Sequence, residues 1–185
     1  MKQIKLALIA ATSLLSLAVN AQIVGVNAFL KGDHVEVSIN KFGVYGTTAA
    51  PPAGYHPNVF GLGFVADSDL DGWDVGSPYD YCGDYFVPGT PEEGWQVQIG
   101  GSVYTNASNG CSPSEIPGSI TTYEFSGGMY TAIWEGTIAS EDISITQTTT
   151  LLIDKTYFVT RVLICNDGPT DLVDVYYNRN VDPDN

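Results

Sequence analysis

Ile143-Ser144-Ile145-Thr146-Gln147-Thr148-Thr149-Thr150 opens the part of the chain that decides its fold. Isoleucine alternates with small hydroxyl residues, so a two-residue period puts apolar side chains on one face of an extended segment and polar ones on the other. Val35-Glu36-Val37-Ser38-Ile39 repeats the pattern, and both segments read as strands with one buried face. In 157–165, around Val162-Leu163-Ile164-Cys165, both faces are mostly apolar, which predicts a central strand covered on each side. The stretch 172–177, beyond Asn166-Asp167-Gly168-Pro169-Thr170-Asp171, is its expected hairpin partner. Further strands are expected at 23–30, 60–66, 95–99, 119–125 and 129–135.

Short strands punctuated by turns, in a chain with 20 glycines and 10 prolines, predict an all-β fold. About nine strands carry more apolar side chains than one sheet can cover, so the expected architecture is a two-sheet antiparallel β-sandwich. Residues 67–94 and 105–118 break the alternation and are dense in Gly, Pro, Asp, Ser and aromatic residues, which predicts long ordered loops. No internal repeat or linker divides 22–185, so a single domain is expected there.

The segment 157–175, with Asn166-Asp167-Gly168-Pro169 at its centre, resembles the Asn-x-Gly-Pro repeat family of Ig-like domains in bacterial surface proteins. That resemblance covers only the strand, the turn and the strand after it. It implies an Ig-like pair of sheets and carries no activity. The rest of the chain departs from the family, whose repeats are shorter and lack an insertion such as 67–118, so half of a larger carbohydrate-enzyme supersandwich stays open beside the Ig-like reading. The stop at Arg179-Asn180-Val181-Asp182-Pro183-Asp184-Asn185, straight after a strand, leads us to expect that 22–185 is the amino-terminal part of a longer surface protein in related chains.

Lys2 and Lys5 lead into an apolar run, 6–19, that closes at Ala21. This is the pattern of a cleaved secretory signal peptide over 1–21, and it predicts a secreted, extracellular or cell-surface product. The run is too short to cross a bilayer comfortably, so membrane insertion of the mature form is not expected. Removal of 1–21 takes away two lysines and no acids, moving the formal charge from -14 to -16. Such a chain repels phosphate backbones and anionic lipids, which argues against nucleic-acid partners and favours divalent cations. Three cysteines in an oxidising compartment leave one unpaired. Cys82 and Cys111, both in loop sequence, are the expected disulfide, and Cys165 is expected to be a buried, inert thiol.

Asp67-Ser68-Asp69-Leu70-Asp71-Gly72-Trp73-Asp74 places oxygen ligands first, third and fifth with glycine sixth. Over six residues it resembles the EF-hand and related Asp-rich loops. Pro78 stands where a bidentate glutamate would close an EF-hand, so the expectation is a loop-held calcium on a β-scaffold, with Asp67, Asp69, Asp71 and Asp74 as ligands and Asp80 or Asp84 able to complete the shell. A solvated acidic turn is the competing reading.

Trp73, Tyr79, Tyr81 and Trp95 lie in an aromatic-rich stretch interleaved with acids, a composition that suits stacking on sugar rings while carboxylates accept hydroxyl hydrogens. The same rings could instead fold inward as a small core of the loop. Glu92, Glu93, Glu124 and Glu135 are eligible as glycosidase acids by type alone. His34 and His56 fall at no zinc spacing with the cysteines. Asn106-Ala107-Ser108 is a glycan-acceptor sequence.

No nucleophile elbow, phosphate loop or dinucleotide fingerprint is present in the sequence. The reading taken forward is a secreted or cell-surface, non-catalytic β-sandwich module, calcium-stabilised, for adhesion or carbohydrate binding, with carbohydrate or another surface protein as partner. The alternative is a polysaccharide-acting enzyme domain using paired carboxylates.

Overall fold

A computed structural model of the chain describes residues 22–74, 84–86, 93–107 and 115–181. The expected signal peptide and the expected disulfide pair Cys82 and Cys111 lie outside them. Among the described residues the chain is all-β, with three antiparallel sheets arranged as a two-layer sandwich.

One layer is a long sheet of β7 (Gly118–Ser126), β8 (Met129–Ile138), β9 (Ile143–Leu152) and β10 (Val159–Asn166), in the order β10-β9-β8-β7. Gly127 and Gly128, at φ 59° and 78°, make the two-residue turn between β7 and β8. Two successive positive φ angles are what a type I′ hairpin requires, and only glycine takes both at no steric cost. Beyond β8, Asp142 at φ 52° ends the short 3-10 turn Ala139–Glu141 and sends the chain back into β9.

The second layer consists of two small sheets laid end to end on the long one. The amino-terminal sheet orders β1 (Gln22–Val24), β2 (Asn27–Lys31), β3 (Val35–Ile39) and β4 (Phe64–Ala66) in sequence. The other orders β11 (Tyr176–Val181), β5 (Glu93–Ile99) and β6 (Ser102–Ala107) as β11-β5-β6. Ala28, Leu30, Val35, Val37 and Ile39 pack on Tyr130, Ala132 and Leu151 of the long sheet. Trp95, Val97 and Ile99 pack on Trp134, Ile138, Ile143 and Ile145. The inward residues of β8 and β9 are thus shared by two cores, one at each end of the same strands. Each fully buried side chain of this size contributes on the order of 1.5–3 kcal/mol.

The structure corrects the sequence reading at several elements. β3 is buried along its whole length, because the excursion between β3 and β4 lies over its second face and forms a third core of Phe29, Tyr55, Leu62 and Val65. The expected strand 23–30 is a hairpin, broken at Gly25 with φ 64°. Of 60–66 only Phe64–Ala66 is strand, and β6 occupies part of the expected loop 105–118.

The expected hairpin of 157–165 with 172–177 does not form: β11 pairs with β5, not β10. Asn166 explains the departure, since its Oδ1 accepts the amide of Gly168 at 3.0 Å and its Nδ2 donates to the Thr170 carbonyl at 2.7 Å. The chain is bent away from its own sheet, and Leu172 and Tyr177 join the core beneath Trp95 in the other layer. β10 is therefore the end of its sheet rather than a central strand.

Candidate functional site

Asp67 ends β4's path and begins the Asp-rich loop. Its carboxylate is 1% exposed, and it accepts the amides of Asp71 at 3.1 Å and Gly72 at 3.0 Å. Burial alone would raise its pKa, but the amides of Gly72, Asp71 and Trp73, with His34 nearby, hold it below the usual carboxylate range. Asp71 in turn accepts the amide of Asp74 at 3.0 Å. Leu70, Gly72 and Trp73 all have positive φ, so the loop curls tightly around Asp67.

Of the four acids expected at a calcium, Asp67 accepts backbone amides, and Asp69, Asp71 and Asp74 are exposed. Among the described residues no three His, Cys, Asp or Glu side chains gather where one ion could be held. Asp84, a candidate to complete the shell, is also turned inward, accepting the amides of Gly63 at 2.6 Å, Phe64 at 3.1 Å and Phe86 at 2.9 Å. Asp80 lies outside the described residues.

At the end of the loop the Trp73 indole lies against the core of Phe29, Tyr55, Leu62 and Val65 and donates to the Asp33 carbonyl at 3.2 Å. It stacks on His56, with ring centroids 4.4 Å apart and planes 11° from parallel. The His56 ring is fixed from the other side by Glu36, whose Oε1 meets Nδ1 at 2.9 Å and whose Oε2 accepts the His56 amide at 2.7 Å. A carboxylate can only accept, so Nδ1 carries the hydrogen of this contact, and in the neutral tautomer this leaves Nε2 as the ring's acceptor.

The His56 side chain is 42% exposed, and Nε2 has no partner among the described residues. Glu36 is wholly buried and is balanced by Lys31, whose Nζ is 2.5 Å from Oε1. The same ammonium donates to the Gly54 carbonyl and lies over the Tyr55 and Trp73 rings at 5.4 and 5.9 Å. Sequence reading missed Glu36, Lys31 and His56 as partners, because they come from β3, β2 and the excursion over β3. The alternation at 35–39 offered one hint, a charged residue within a short apolar strand.

The other predicted residues fall elsewhere. Trp95 is 1% exposed, donates to the Phe42 carbonyl at 3.1 Å and packs edge-on against Trp134 at 5.4 Å, so it is core and not a ligand platform. Its alternation with Val97 and Ile99 was the sign of that. Tyr79 and Tyr81 lie outside the described residues. Glu93 is buried against Arg179, with Oε1 2.5 Å from Nε and Oε2 3.1 Å from a terminal nitrogen, and it also accepts the Tyr45 amide at 2.6 Å. Burial raises its pKa, with Arg179 pulling the other way. Glu124 and Glu135 are exposed, and Glu92 lies outside the described residues.

Asn106 cannot serve as a glycan acceptor in the fold. Its side chain is buried, with the amide nitrogen donating to the carbonyls of Phe42 at 3.0 Å and Ile116 at 2.9 Å. Cys165 is a free thiol and is half-buried rather than enclosed.

Comparison of the chain with protein-family models, with curated proteins and with solved structures finds no match. The arrangement of His56, Trp73, Glu36 and Lys31 therefore has to be read on its chemistry alone. It offers a partly exposed imidazole stacked on an indole, on a rigid base.

Proposed function

We propose that the chain is an exported β-sandwich module that binds carbohydrate at the His56–Trp73 ring pair and catalyses no reaction. The ring pair carries this reading. Stacked face to face, each ring covers one face of the other, so a sugar's apolar face packs on the outer face of His56, which is 42% exposed, with Nε2 at its edge for a hydroxyl. Glu36 and Lys31 fix the pair beforehand, which lowers the ordering cost of binding.

The non-catalytic half of the reading rests on how acids are used. General acid–base chemistry needs a carboxyl group free to exchange a proton in a cleft. Glu36, Asp67, Asp84 and Glu93 are the buried carboxylates among the described residues, and each already faces ammonium, guanidinium, imidazole or backbone N–H donors. Export rests on 1–21 of the sequence.

A glycan array with the mature protein, followed by titration of the best hit, tests the reading. Trp73→Ala should weaken binding by about tenfold or more, as expected for one lost stacking ring, and His56→Ala should do likewise. An empty array, or a hit indifferent to both changes, would overturn it. Release of reducing ends from pooled polysaccharides would defeat the non-catalytic half. A rise in Tm with millimolar calcium that needed Asp69, Asp71 and Asp74 would return an ion to the loop.

A further inference from the structure

The geometry points to the outer edge of β10 as a self-association surface: a second copy of the chain pairs with it antiparallel, about a two-fold axis at Ile164, and joins two four-stranded sheets into one. β10 pairs with β9 in unbroken register from Val159–Thr150 to Asn166–Ile143, and among the described residues no strand lies on its other side. It carries no proline or bulge, and Arg161 is its one charged side chain against edge pairing.

Of the five other edges, β11 (Tyr176–Val181) is also open, and the remaining four are blunted. β1 and β4 are three residues long, and β7 has a register shift between Ile120 and Thr122. At β6 the Glu115 amide donates to the Thr105 carbonyl. β10 also exposes apolar side chains, Val159 at 53% and Leu163 at 45%, while Val162 and Ile164 on its inner face are only partly covered.

Charge selects the occupant and the register. Directly opposed residues of antiparallel strands point to the same face, so a two-fold axis must pass through a residue. Arg161 is exposed and without an ion-pair partner among the described residues. An axis at Arg161 sets it against itself. Axes at Val162, Leu163 and Cys165 set it against Leu163, Cys165 and Pro169. Of these axes only the one at Ile164 sets Arg161 against an acid, the exposed Asp167 that directly follows β10 in the second copy, and symmetry makes that pair twice; an axis at Asn166 would reach Asp171, but only by carrying the pairing through the turn after Asn166. The edge is thus complementary to itself. The same register puts Leu163 opposite Cys165, the half-buried free thiol on the outer face.

Cross-linking reads this register directly. Opposed residues in an antiparallel pair have Cα atoms about 4.5–5.5 Å apart, inside the roughly 4.4–6.8 Å a disulfide accepts. The mature Leu163→Cys variant should form a covalent dimer on mild oxidation, through native Cys165. Leu163→Cys combined with Cys165→Ser should not, and neither should Val159→Cys, which faces Pro169.

Light scattering across about 10–500 µM should show the unmodified chain passing from monomer to dimer. Leu163→Lys should abolish the dimer. Arg161→Asp should weaken it about tenfold, and adding Asp167→Arg to it should restore it. Because each copy carries a net -16 after removal of 1–21, association should strengthen as salt rises to about 0.15 M. A monomer at every concentration would overturn the inference and leave the edge to a strand of another protein. So would a dimer that ignores Leu163→Lys and resists the Leu163→Cys cross-link.

Discussion

Replacing Asp67 with alanine removes the acceptor for the amides of Asp71 and Gly72 while leaving those groups inside the loop. Hydrogen bonds to a charged group contribute about 1.5–3 kcal/mol, so chemical denaturation should find Asp67→Ala destabilised by about that amount. The pH dependence has a definite sign. The folded pKa lies below the ordinary aspartate value of about 3.9, so the unfolded chain takes up the proton first as pH falls. Asp67 therefore contributes stability that is present above that value and disappears as pH drops through the folded pKa, and Asp67→Asn should flatten this part of the acid-denaturation curve. The acid-and-glycine spacing of the loop was legible in the sequence, but its direction was not. Aspartate followed by a glycine five residues on suits a cation or a ring of amides equally well, and the amides Asp67 meets come from its own loop. Trp95 carried its own sign of burial, whereas Trp73 and His56 meet only because two separate loops close over β3.

Trp134 sets the tolerance of the β7–β8 ladder. A Cβ at Gly136 would come within 2.2 Å of the indole and 2.6 Å of the Pro117 carbonyl, and one at Gly118 within 2.2 Å of the same ring. Gly136→Ala should therefore cost about 1–3 kcal/mol, the range for overpacking a filled core, seen as a lower Tm with an unchanged far-UV spectrum. Strand existence was readable at this scale because a two-residue period follows from backbone geometry and needs no partner. Pairing was not. Asn166 dictates a bend through its own side-chain bonds, but a bend does not say which strand comes next, and β11 found β5 in the other layer. The apolar outer face of β10 misled for a related reason, since Val159 and Leu163 look the same in sequence whether covered or open.

Arg179 ties the three sheets together. From β11 it reaches Glu93 on β5, Gln147 on β9 at 2.9 Å and the Gly43 carbonyl after β3 at 3.1 Å, with Tyr45 beneath its guanidinium at 3.9 Å. Arg179→Met strands the Glu93 carboxylate and should cost about 3–5 kcal/mol, and adding Glu93→Leu should recover part of it in the same denaturation assay. The two-layer, all-β outline was legible from composition and alternation, while the division of the second layer into two sheets end to end was not, because it depends on contacts between distant parts of the chain. The shared hairpin of β8 and β9 also governs the order of events when the protein is made. Synthesis delivers the amino-terminal strands first, yet their platform is encoded at 129–152, so β1 to β4 wait with an uncovered apolar face until the middle of the chain arrives. An uncovered apolar face of that kind is where aggregation competes with folding.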